Sequence, residues 1–246
     1  MEMRGLGRVR VGTSGWHYAH WVGPFYPEET RPSQMLAWYV RSFDTVEINN
    51  TFYQLPAAPT VRRWREEAPE GFVFACKASR YLTHLKKLDV SRRSIVRFFR
   101  VVELLGDRLG PILFQLPPHW HQDLERLRTF LARLPEGHRY AFEFRDETWI
   151  APAVTDLLLA HHAACCAYEF AGRRPEVPVT ADFMYVRLHG PGGAYEGRYQ
   201  EATLSAWAEQ IADWRRGGRE VYCYFDNDEQ GYAAADALRL KEKLGL

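Results

Sequence analysis

The sequence predicts an α/β fold, a TIM-type (β/α) barrel that forms a single domain over residues 1–246. Three observations support this prediction. Apolar runs typical of strands alternate with helical patterns along the whole chain. The chain has 246 residues, close to the ~250 residues that one such barrel takes. No shift in composition and no low-complexity stretch marks a linker between domains.

Eight short runs, rich in β-branched and aromatic residues, are predicted as the strands of the barrel. In chain order they are Arg8–Thr13, Thr45–Asn49, Phe72–Lys77, Pro111–Leu116, Tyr140–Arg145, Ala164–Tyr168, Phe183–His189 and Val221–Asp226. Eight strands that alternate with helices favour a parallel barrel over an open sheet.

Seven helical patterns follow or separate these strands. They are Ser33–Ser42, Thr60–Glu67, Ser91–Leu105, Gln122–Leu134, Pro152–His161, Glu201–Arg216 and Tyr232–Leu244. Pro32 and Pro152 stand where helices begin, since proline is favoured in a first helical turn. The segment between Tyr168 and Phe183 is short and carries two prolines. We therefore expect an irregular or missing helix after the sixth strand.

Charge and hydropathy exclude several classes of protein. The 32 basic and 31 acidic residues give a net charge of +1, so a strongly basic nucleic-acid-binding face is not indicated. No apolar run approaches the ~18–20 residues of a membrane helix, and the first residues lack the apolar core of a secretory signal. The four cysteines show no C-x-x-C spacing. We expect a soluble, reduced, cytoplasmic domain without membrane contact, and composition alone does not determine its oligomeric state.

Strand alternation predicts which side chains face the barrel interior. In the fifth strand the aromatic residues suit the helix layer, which turns Glu143 and Arg145 inward. In the seventh strand the same pattern turns Arg187 and His189 inward. The other inward polar residues near strand ends are Glu47, Asn49, Lys77, Gln115, Tyr224 and Asp226. They collect at the C-terminal ends of the strands, where barrel enzymes keep their active sites.

These positions suggest an enzyme of hydrolase or isomerase type acting on a small polar or anionic substrate, such as a sugar phosphate or a nucleotide. His189, Glu143 and Glu47 are the candidate catalytic residues, because imidazole and carboxylate groups carry protons. A larger set is expected to bind the substrate through charge, hydrogen bonds or ring stacking. It comprises Trp16, Asn49, Lys77, Arg80, His84, Gln115, Arg145, Trp149, Arg187, Tyr224, Asp226 and Asn227.

Three alternatives stay open at this point. The first is nucleic-acid phosphoester binding or cleavage, by analogy with barrel endonucleases. The second is a non-catalytic ligand-binding protein, and the third is an interior plug of ion pairs without chemistry. Glu47, Glu143, Asp226 and His189 also resemble an oxygen-rich set for Mg²⁺ or Mn²⁺. Each carboxylate has a basic residue in reach, so we expect no metal and no cofactor.

Ordered blocks of residues along nearly the whole chain resemble the DUF72 family, also called YecE-like. The blocks are Gly12–Trp16, Val46–Tyr53, Lys77–Arg80 with Thr83 and His84, Phe114–Pro118, Glu143–Arg145 with Trp149, Arg187–Gly190 and Tyr224–Asp228. The resemblance implies a TIM-type barrel and no particular reaction, because the family is defined as one of unknown function. The family often carries Asn where Asp226 stands, so the resemblance does not imply a role that needs a carboxylate there.

Overall fold

The structure, a computed structural model, describes residues 5–246. Nine short strands form the centre of this part of the chain. Every strand runs parallel to its hydrogen-bonded neighbours. The strands are β1 (Val9–Thr13), β2 (Thr45–Ile48), β3 (Val73–Lys77), β4 (Leu109–Gln115), β5 (Tyr140–Glu143), β6 (Ala164–Cys165), β7 (Ala167–Glu169), β8 (Phe183–Leu188) and β9 (Glu220–Phe225).

Helices cover the outside of the strands. They are α1 (Met35–Tyr39), α2 (Asn50–Tyr53), α3 (Ala58–Glu67), α4 (Arg92–Val102), α5 (Leu124–Leu131), α6 (Pro152–Ala160), α7 (Glu201–Arg216) and α8 (Tyr232–Leu244). Local sequence sets several of their ends. The side chains of Ser91 and Asp123 accept hydrogen bonds from the first turns of α4 and α5, and Pro152 opens α6.

The strands form two sheets, β2-β3-β4-β5-β6 and β7-β8-β9-β1, whose edges meet at two seams. At the first seam Gly15 N donates to Glu47 O (2.8 Å), and Gly12 lets β1 approach β2, since a Cβ there would lie 2.3 Å from Thr45 O. At the second seam the predicted sixth strand is interrupted at Cys166, whose N–H donates back to Phe142 O (2.8 Å). The arrangement is consistent with a TIM-type barrel, although its hydrogen-bonded ladders do not close completely.

Two apolar layers stabilise this arrangement. The large outer layer packs helices against strand side chains such as Phe74, Phe114 and Phe142. The small inner layer fills the interior below the strand ends and comprises Ala75, Leu113, Ala141, Ala164, Cys166, Phe183, Tyr185, Tyr222 and Tyr224. The alternation of the strands therefore sorts side chains between the two layers as their sequence pattern predicts.

The structure refines several predicted elements. Residues 170–182 contain no helix, as the sequence analysis expected after the sixth strand. The predicted helix Ser33–Ser42 is shorter, with a 3₁₀ turn at Pro32–Gln34 before α1. Four short helical segments were not predicted: α2, the single wide turn Tyr81–Leu85, and the 3₁₀ turns Ala19–Trp21 and Glu147–Trp149. Each is too short to show a helical hydrophobic period.

Among residues 5–246, no helix combines the length and the apolar character needed to cross a membrane. All four cysteines are buried free thiols: Cys76, Cys165, Cys166 and Cys223. Burial raises the pKa of Cys165 to about 12, so this thiol is protonated at neutral pH.

Candidate functional site

The guanidinium of Arg187 is the centre of a charged cluster at the C-terminal ends of the strands. Its side chain, which comes from β8, is fully buried. Nη2 donates to Glu47 Oε1 (2.8 Å) and Asp226 Oδ2 (2.9 Å), and Nη1 donates to Glu143 Oε2 (3.0 Å). We call the following set the Arg187 cluster: Ser14, Glu47, Glu143, Arg145, Tyr185, Arg187, His189 and Asp226.

The acidic and basic side chains of the Arg187 cluster can be buried together because their charges neutralise one another. An unpaired charge inside a protein costs several kcal/mol, whereas ion pairs with complete hydrogen bonds offset much of that cost. Burial alone raises the pKa of Glu143, but the positive charges of Arg145 and Arg187 outweigh it and hold that pKa well below its usual range. Burial also opposes ionisation of Asp226, yet Arg187 and His189 lower its pKa. Both carboxyl groups are therefore ionised at neutral pH.

His189 follows β8 and lies inside the cluster, with no exposure to solvent. Its Nδ1 lies 3.1 Å from Asp226 Oδ2, and its Nε2 lies 2.8 Å from Arg145 Nη2. Arginine only donates, so Nε2 accepts from Arg145 and Nδ1–H donates to Asp226 in the neutral tautomer. Glu143 Oε1 is 3.1 Å from the same Nε2 and would accept a hydrogen bond from a proton placed there. The imidazole is thus positioned to exchange a proton at Nε2.

Arg145 separates this buried cluster from solvent. Its Nε donates to Glu143, and its side chain is 11% exposed. The guanidinium lies over the rings of Tyr168 (5.0 Å) and Phe170 (4.7 Å). These contacts leave Nη1 without a hydrogen-bond partner in the part of the chain that the structure describes. Arg145 therefore retains donors for a ligand on its outer side.

Hydrogen-bonded neighbours hold the carboxylates of the cluster in place. Tyr185 OH donates to Glu47 Oε2 (2.6 Å), and the hydroxyl of Ser14 contacts Oε1 of the same residue. Asn49 Nδ2 donates to Ser14 Oγ (2.7 Å), and Gln115 Nε2 donates to Glu143 Oε1 (2.9 Å). Asn49 and Gln115, which were expected to touch substrate, thus orient the cluster in this structure.

A cavity of about 1100 Å³ opens beside Arg145 at the C-terminal side of β4, β5 and β7, and we call it the mouth cavity. Arg145, His84 and Gln115 line its wall together with the rings of Tyr168 and Phe170. Its volume suits a metabolite of moderate size. His189 and Glu143 do not line it, because Arg145 and nearby aromatic rings lie over them. The loop that carries Tyr195 adds part of this cover, since Tyr195 N donates to His189 O (2.7 Å).

The end of β3 brings Lys77 and His84 to the same ring. Lys77 Nζ lies 4.4 Å from the Phe52 ring centroid, and the His84 ring lies 5.0 Å from it. Burial, then Lys77 and Arg80, lower the pKa of His84 to about 4, so its imidazole is neutral at pH 7. Arg80 itself is exposed, and its charge contributes to the lowered pKa of His84.

Trp16, Trp149, Tyr224 and Asn227 are among the residues expected to bind substrate that do not line the mouth cavity. Trp16 is buried against Trp64 (5.1 Å between ring centroids), because the first loop folds onto α3. Trp149 stacks on Phe144 (5.2 Å) and lies in the outer core, so neither tryptophan lines the mouth cavity. The other two have structural contacts instead. Asn227 Nδ2 donates to Gly197 O (2.9 Å) and anchors the loop after β8, and Tyr224 OH contacts Thr45 Oγ1 (2.7 Å) in the inner layer.

The aromatic residues that frame Arg145 were not singled out from the sequence. Tyr168 lies in β7, Phe170 lies one residue beyond its end, and Tyr195 lies in the glycine-rich loop after β8. Extending the period-two pattern of the sixth strand from Cys166 through positions 168 and 170 indicates the first two. The loop residue carries no such local signal, since its position depends on the path of residues 190–197.

The carboxylates of the cluster converge on a guanidinium. Within residues 5–246, no group of three or more His, Cys, Asp and Glu side chains has the arrangement of a metal site. Glu47, Glu143 and Asp226 each bind Arg187, which supplies the cationic charge at the point where they meet. The residues that resemble a Mg²⁺ set in the sequence are therefore arranged as a salt-bridge network around an arginine.

Comparisons with known proteins agree with this architecture. The chain is 25% identical to the UPF0759 protein YunF of Bacillus subtilis (strain 168), over 97% of this chain and 95% of that protein. It is 25% identical to the UPF0759 protein YecE of Escherichia coli (strain K12), over 85% of this chain and 82% of that protein.

Two crystal structures described as DUF72 family proteins have the same fold. The protein from Thermotoga maritima MSB8 superposes with a TM-score of 0.86 at 28% identity, covering 97% of this chain and 100% of that one. The protein from Enterococcus faecalis V583 has a TM-score of 0.82 at 17% identity, covering 97% and 96%, which supports the fold alone. The model of the family described as "Protein of unknown function DUF72" matches residues 10–246. This chain therefore belongs to the DUF72 family.

Proposed function

We propose that this chain is an enzyme that binds a small anionic substrate, of the sugar-phosphate or nucleotide type, in the mouth cavity and transfers protons to or from it. The observation that carries the proposal is the position of Arg145. One side of its guanidinium contacts Glu143 and His189 in the buried cluster, and the side chain also lines the cavity. A ligand bound to Arg145 is thus one residue away from a buried histidine.

Anion binding follows from the unused donors of Arg145. A guanidinium with a free nitrogen recognises phosphate or carboxylate through parallel hydrogen bonds. The rings of Tyr168 and Phe170 hold the guanidinium in place and present apolar faces to a ligand. At the outer rim, Arg173 is paired with Glu147, whereas Nη1 of Arg145 has no hydrogen-bond partner among the described residues.

Proton transfer is assigned to His189 with Asp226 as its orienting carboxylate. Asp226 holds Nδ1–H, so the lone pair of Nε2 is available once Arg145 moves toward a bound anion. Glu143 accepts a hydrogen bond from Nε2–H after the proton has arrived and stabilises the imidazolium. Glu47 is bound to Arg187 and Tyr185 and acts as a support for the cluster.

Calorimetric titration with ribose 5-phosphate and with inorganic phosphate tests the binding step. We expect saturable binding that weakens at least about tenfold in Arg145→Gln, which corresponds to roughly 1.4 kcal/mol. Arg173→Gln is the matched control, because it removes an exposed arginine from the rim of the same cavity. Unchanged affinity in Arg145→Gln, or no saturable binding to the wild-type chain, would overturn the proposal.

The Arg187 cluster is closed off from solvent, and this favours a second candidate function. The chain would then be a non-catalytic protein that binds the same class of ligand. His189 has no solvent exposure, and every carboxylate of the cluster is already paired. Proton exchange separates the two candidates. In D₂O, an enzyme of isomerase type replaces a C–H proton next to the carbonyl of ribose 5-phosphate, which ¹H NMR detects. His189→Gln then loses the exchange while ligand binding is retained, whereas a binding protein shows no exchange in either form.

We also propose that the chain works in the cytoplasm. Its four cysteines are free and buried, and none is positioned as a disulfide partner in the described residues. Reduced cysteines are typical of proteins from that compartment.

A further inference from the structure

Lys77 carries a buried amine at the mouth of the barrel. The proton transfer proposed for His189 does not use this amine. Lys77 is the last residue of β3, and its backbone is held on both sides. Thr51 Oγ1 donates to Lys77 O (2.6 Å), and Ala78 N donates to Leu113 O (2.8 Å). Ala75 lies in the inner layer and Cys76 in the outer one, so alternation turns Lys77 inward, where its exposure is 7%. The amine is therefore held at a defined place.

The surroundings of Lys77 differ from those of the two arginines in the site. Arg145 and Arg187 are ion-paired, whereas no carboxylate of the described residues lies within ion-pairing distance of Lys77 Nζ. Burial, followed by Arg187, lowers the pKa of Lys77 to about 8, although Asp226, Glu47 and Glu143 oppose that change. In roughly a tenth of the molecules, the Lys77 amine is then unprotonated at pH 7. A neutral, desolvated amine is the form in which lysine attacks carbonyl carbon.

His84 supplies a proton carrier beside the same Phe52 ring. Its ring and Lys77 Nζ both contact Phe52. Thr83 Oγ1 donates to Ser79 O (3.2 Å) and lies 2.9 Å from His84 Nδ1, so Nδ1–H donates to the hydroxyl. This leaves Nε2 of a neutral imidazole free to accept a proton. His84 lines the mouth cavity, so this base connects the cavity to the Phe52 ring that Lys77 Nζ also contacts.

We infer that Lys77 is a nucleophile that forms an imine with an aldehyde or ketone carrying an anionic group. This inference rests on the proposed function, because Arg145 binds the anionic group of the same ligand. The Lys77 ammonium first gives up one proton, and the neutral Nζ attacks the carbonyl carbon. A C–N bond forms, and the π electron pair moves to oxygen, which takes the proton that the ammonium gave up. His84 accepts a proton from nitrogen and returns it to the hydroxyl, which leaves as water. Overall, one ammonium group and one carbonyl group give one iminium group and one water molecule.

Reductive trapping tests the inference. The wild-type chain is incubated with glyceraldehyde 3-phosphate and sodium cyanoborohydride, which reduces an imine to a stable secondary amine, and the modified peptide is identified by mass spectrometry. The other four lysines, Lys86, Lys87, Lys241 and Lys243, are internal references. We expect Lys77 to be modified at least about tenfold faster than each of them, and faster as pH rises from 7 to 9. Unphosphorylated glyceraldehyde should label Lys77 more slowly.

Two variants keep the test independent of folding. Lys77→Arg keeps the positive charge and removes the nucleophile, and Lys77→Met removes both, with circular dichroism to verify that each is folded. Labelling of His84→Gln should be slower while its modified residue remains Lys77. Equal labelling of all five lysines, or labelling that spares Lys77, would overturn the inference.

The outcomes also separate this inference from the proposed function. If Lys77 is spared while inorganic phosphate binds wild type and not Arg145→Gln, the anion site stands and the imine is wrong. If phosphate does not bind while Lys77 is labelled equally by phosphorylated and neutral glyceraldehyde, the reactive amine stands and the anion site is wrong.

Discussion

Asp226 Oδ2 lies 3.1 Å from His189 Nδ1, and this contact leaves the other ring nitrogen facing Arg145. The same oxygen accepts from Arg187 Nη2 at 2.9 Å. A single carboxylate oxygen thus orients the imidazole and neutralises part of the central guanidinium. The two tasks need an acceptor at this position, and the amide oxygen of asparagine is also an acceptor.

Asp226→Asn should therefore preserve the geometry and change the charge. We expect a folded variant in which phosphate binds roughly three- to tenfold more tightly, because one negative charge near Arg145 is removed. Calorimetry with inorganic phosphate measures the change. Asp213→Asn, on the exposed side of α7, is the control and should leave the affinity unchanged. A loss of affinity in Asp226→Asn would contradict this account.

Removal of the central cation should destabilise the barrel strongly. Arg187→Met removes the cation that three buried carboxylates share, and breaking a buried pair typically costs ~3–5 kcal/mol. Urea denaturation measures the free energy of unfolding. Arg173→Met removes an exposed ion pair with Glu147 and should cost ~1 kcal/mol or less. Similar losses in the two variants would show that the Arg187 cluster does not stabilise the fold.

Stability should fall on acidification through the carboxylates of the cluster. The pKa values of Glu143 and Asp226 lie below their usual ranges in the folded chain. The unfolded chain therefore binds more protons at low pH, with ordinary pKa values of about 4. The stabilisation is complete above that pH and is lost as pH falls through the lower, folded-state pKa values.

Glu143→Gln provides the check on this pH dependence. The variant should be less stable than wild type at pH 7, and the two free energies of unfolding should approach each other between pH 4 and pH 2. Urea titrations at pH 7, 5, 4, 3 and 2 give both curves. Curves that remain parallel over this range would assign the acid sensitivity to other carboxylates.

Close approach at the first seam should make Gly12 intolerant of a side chain. A Cβ at this position would meet Thr45 O at 2.3 Å, so β1 and β2 must separate in Gly12→Ala. Overpacking of this kind costs ~1–3 kcal/mol. Gly192→Ala is the comparison, because the nearest atom to its Cβ is Glu196 O at 3.8 Å. Thermal denaturation of both variants tests the difference. Equal melting temperatures would contradict the close packing of β1 against β2 at the first seam.

Alanine substitutions of two aromatic residues should affect stability and phosphate binding differently. Trp16 is 5% exposed and packs on Trp64, so Trp16→Ala should lose ~3–5 kcal/mol of stability while phosphate affinity is unchanged. Tyr168 lines the mouth cavity beside Arg145, so Tyr168→Ala should weaken binding with a smaller effect on stability. Denaturation and calorimetry on both proteins decide between this assignment and its reverse.

Much of the fold is predictable from local pattern. Strand alternation has a period of two residues, and it depends only on neighbours along the chain. It therefore predicts β5 and β8 closely, together with the inward direction of Glu143 and Arg187. The break at Cys166 is not predictable in this way, because it depends on how β6 and β7 join different sheets.

Local sequence was enough to predict the parallel βα order, the alternation of strands and helices, and the polar strand ends, since each is a property of short segments. How those ends share their charges depends on the tertiary structure. It placed Arg187 at the centre rather than at the rim, covered His189 with Arg145, and moved Trp16 and Trp149 into the core. These choices depend on loops whose paths are set by packing between residues far apart in the chain, which no local period encodes.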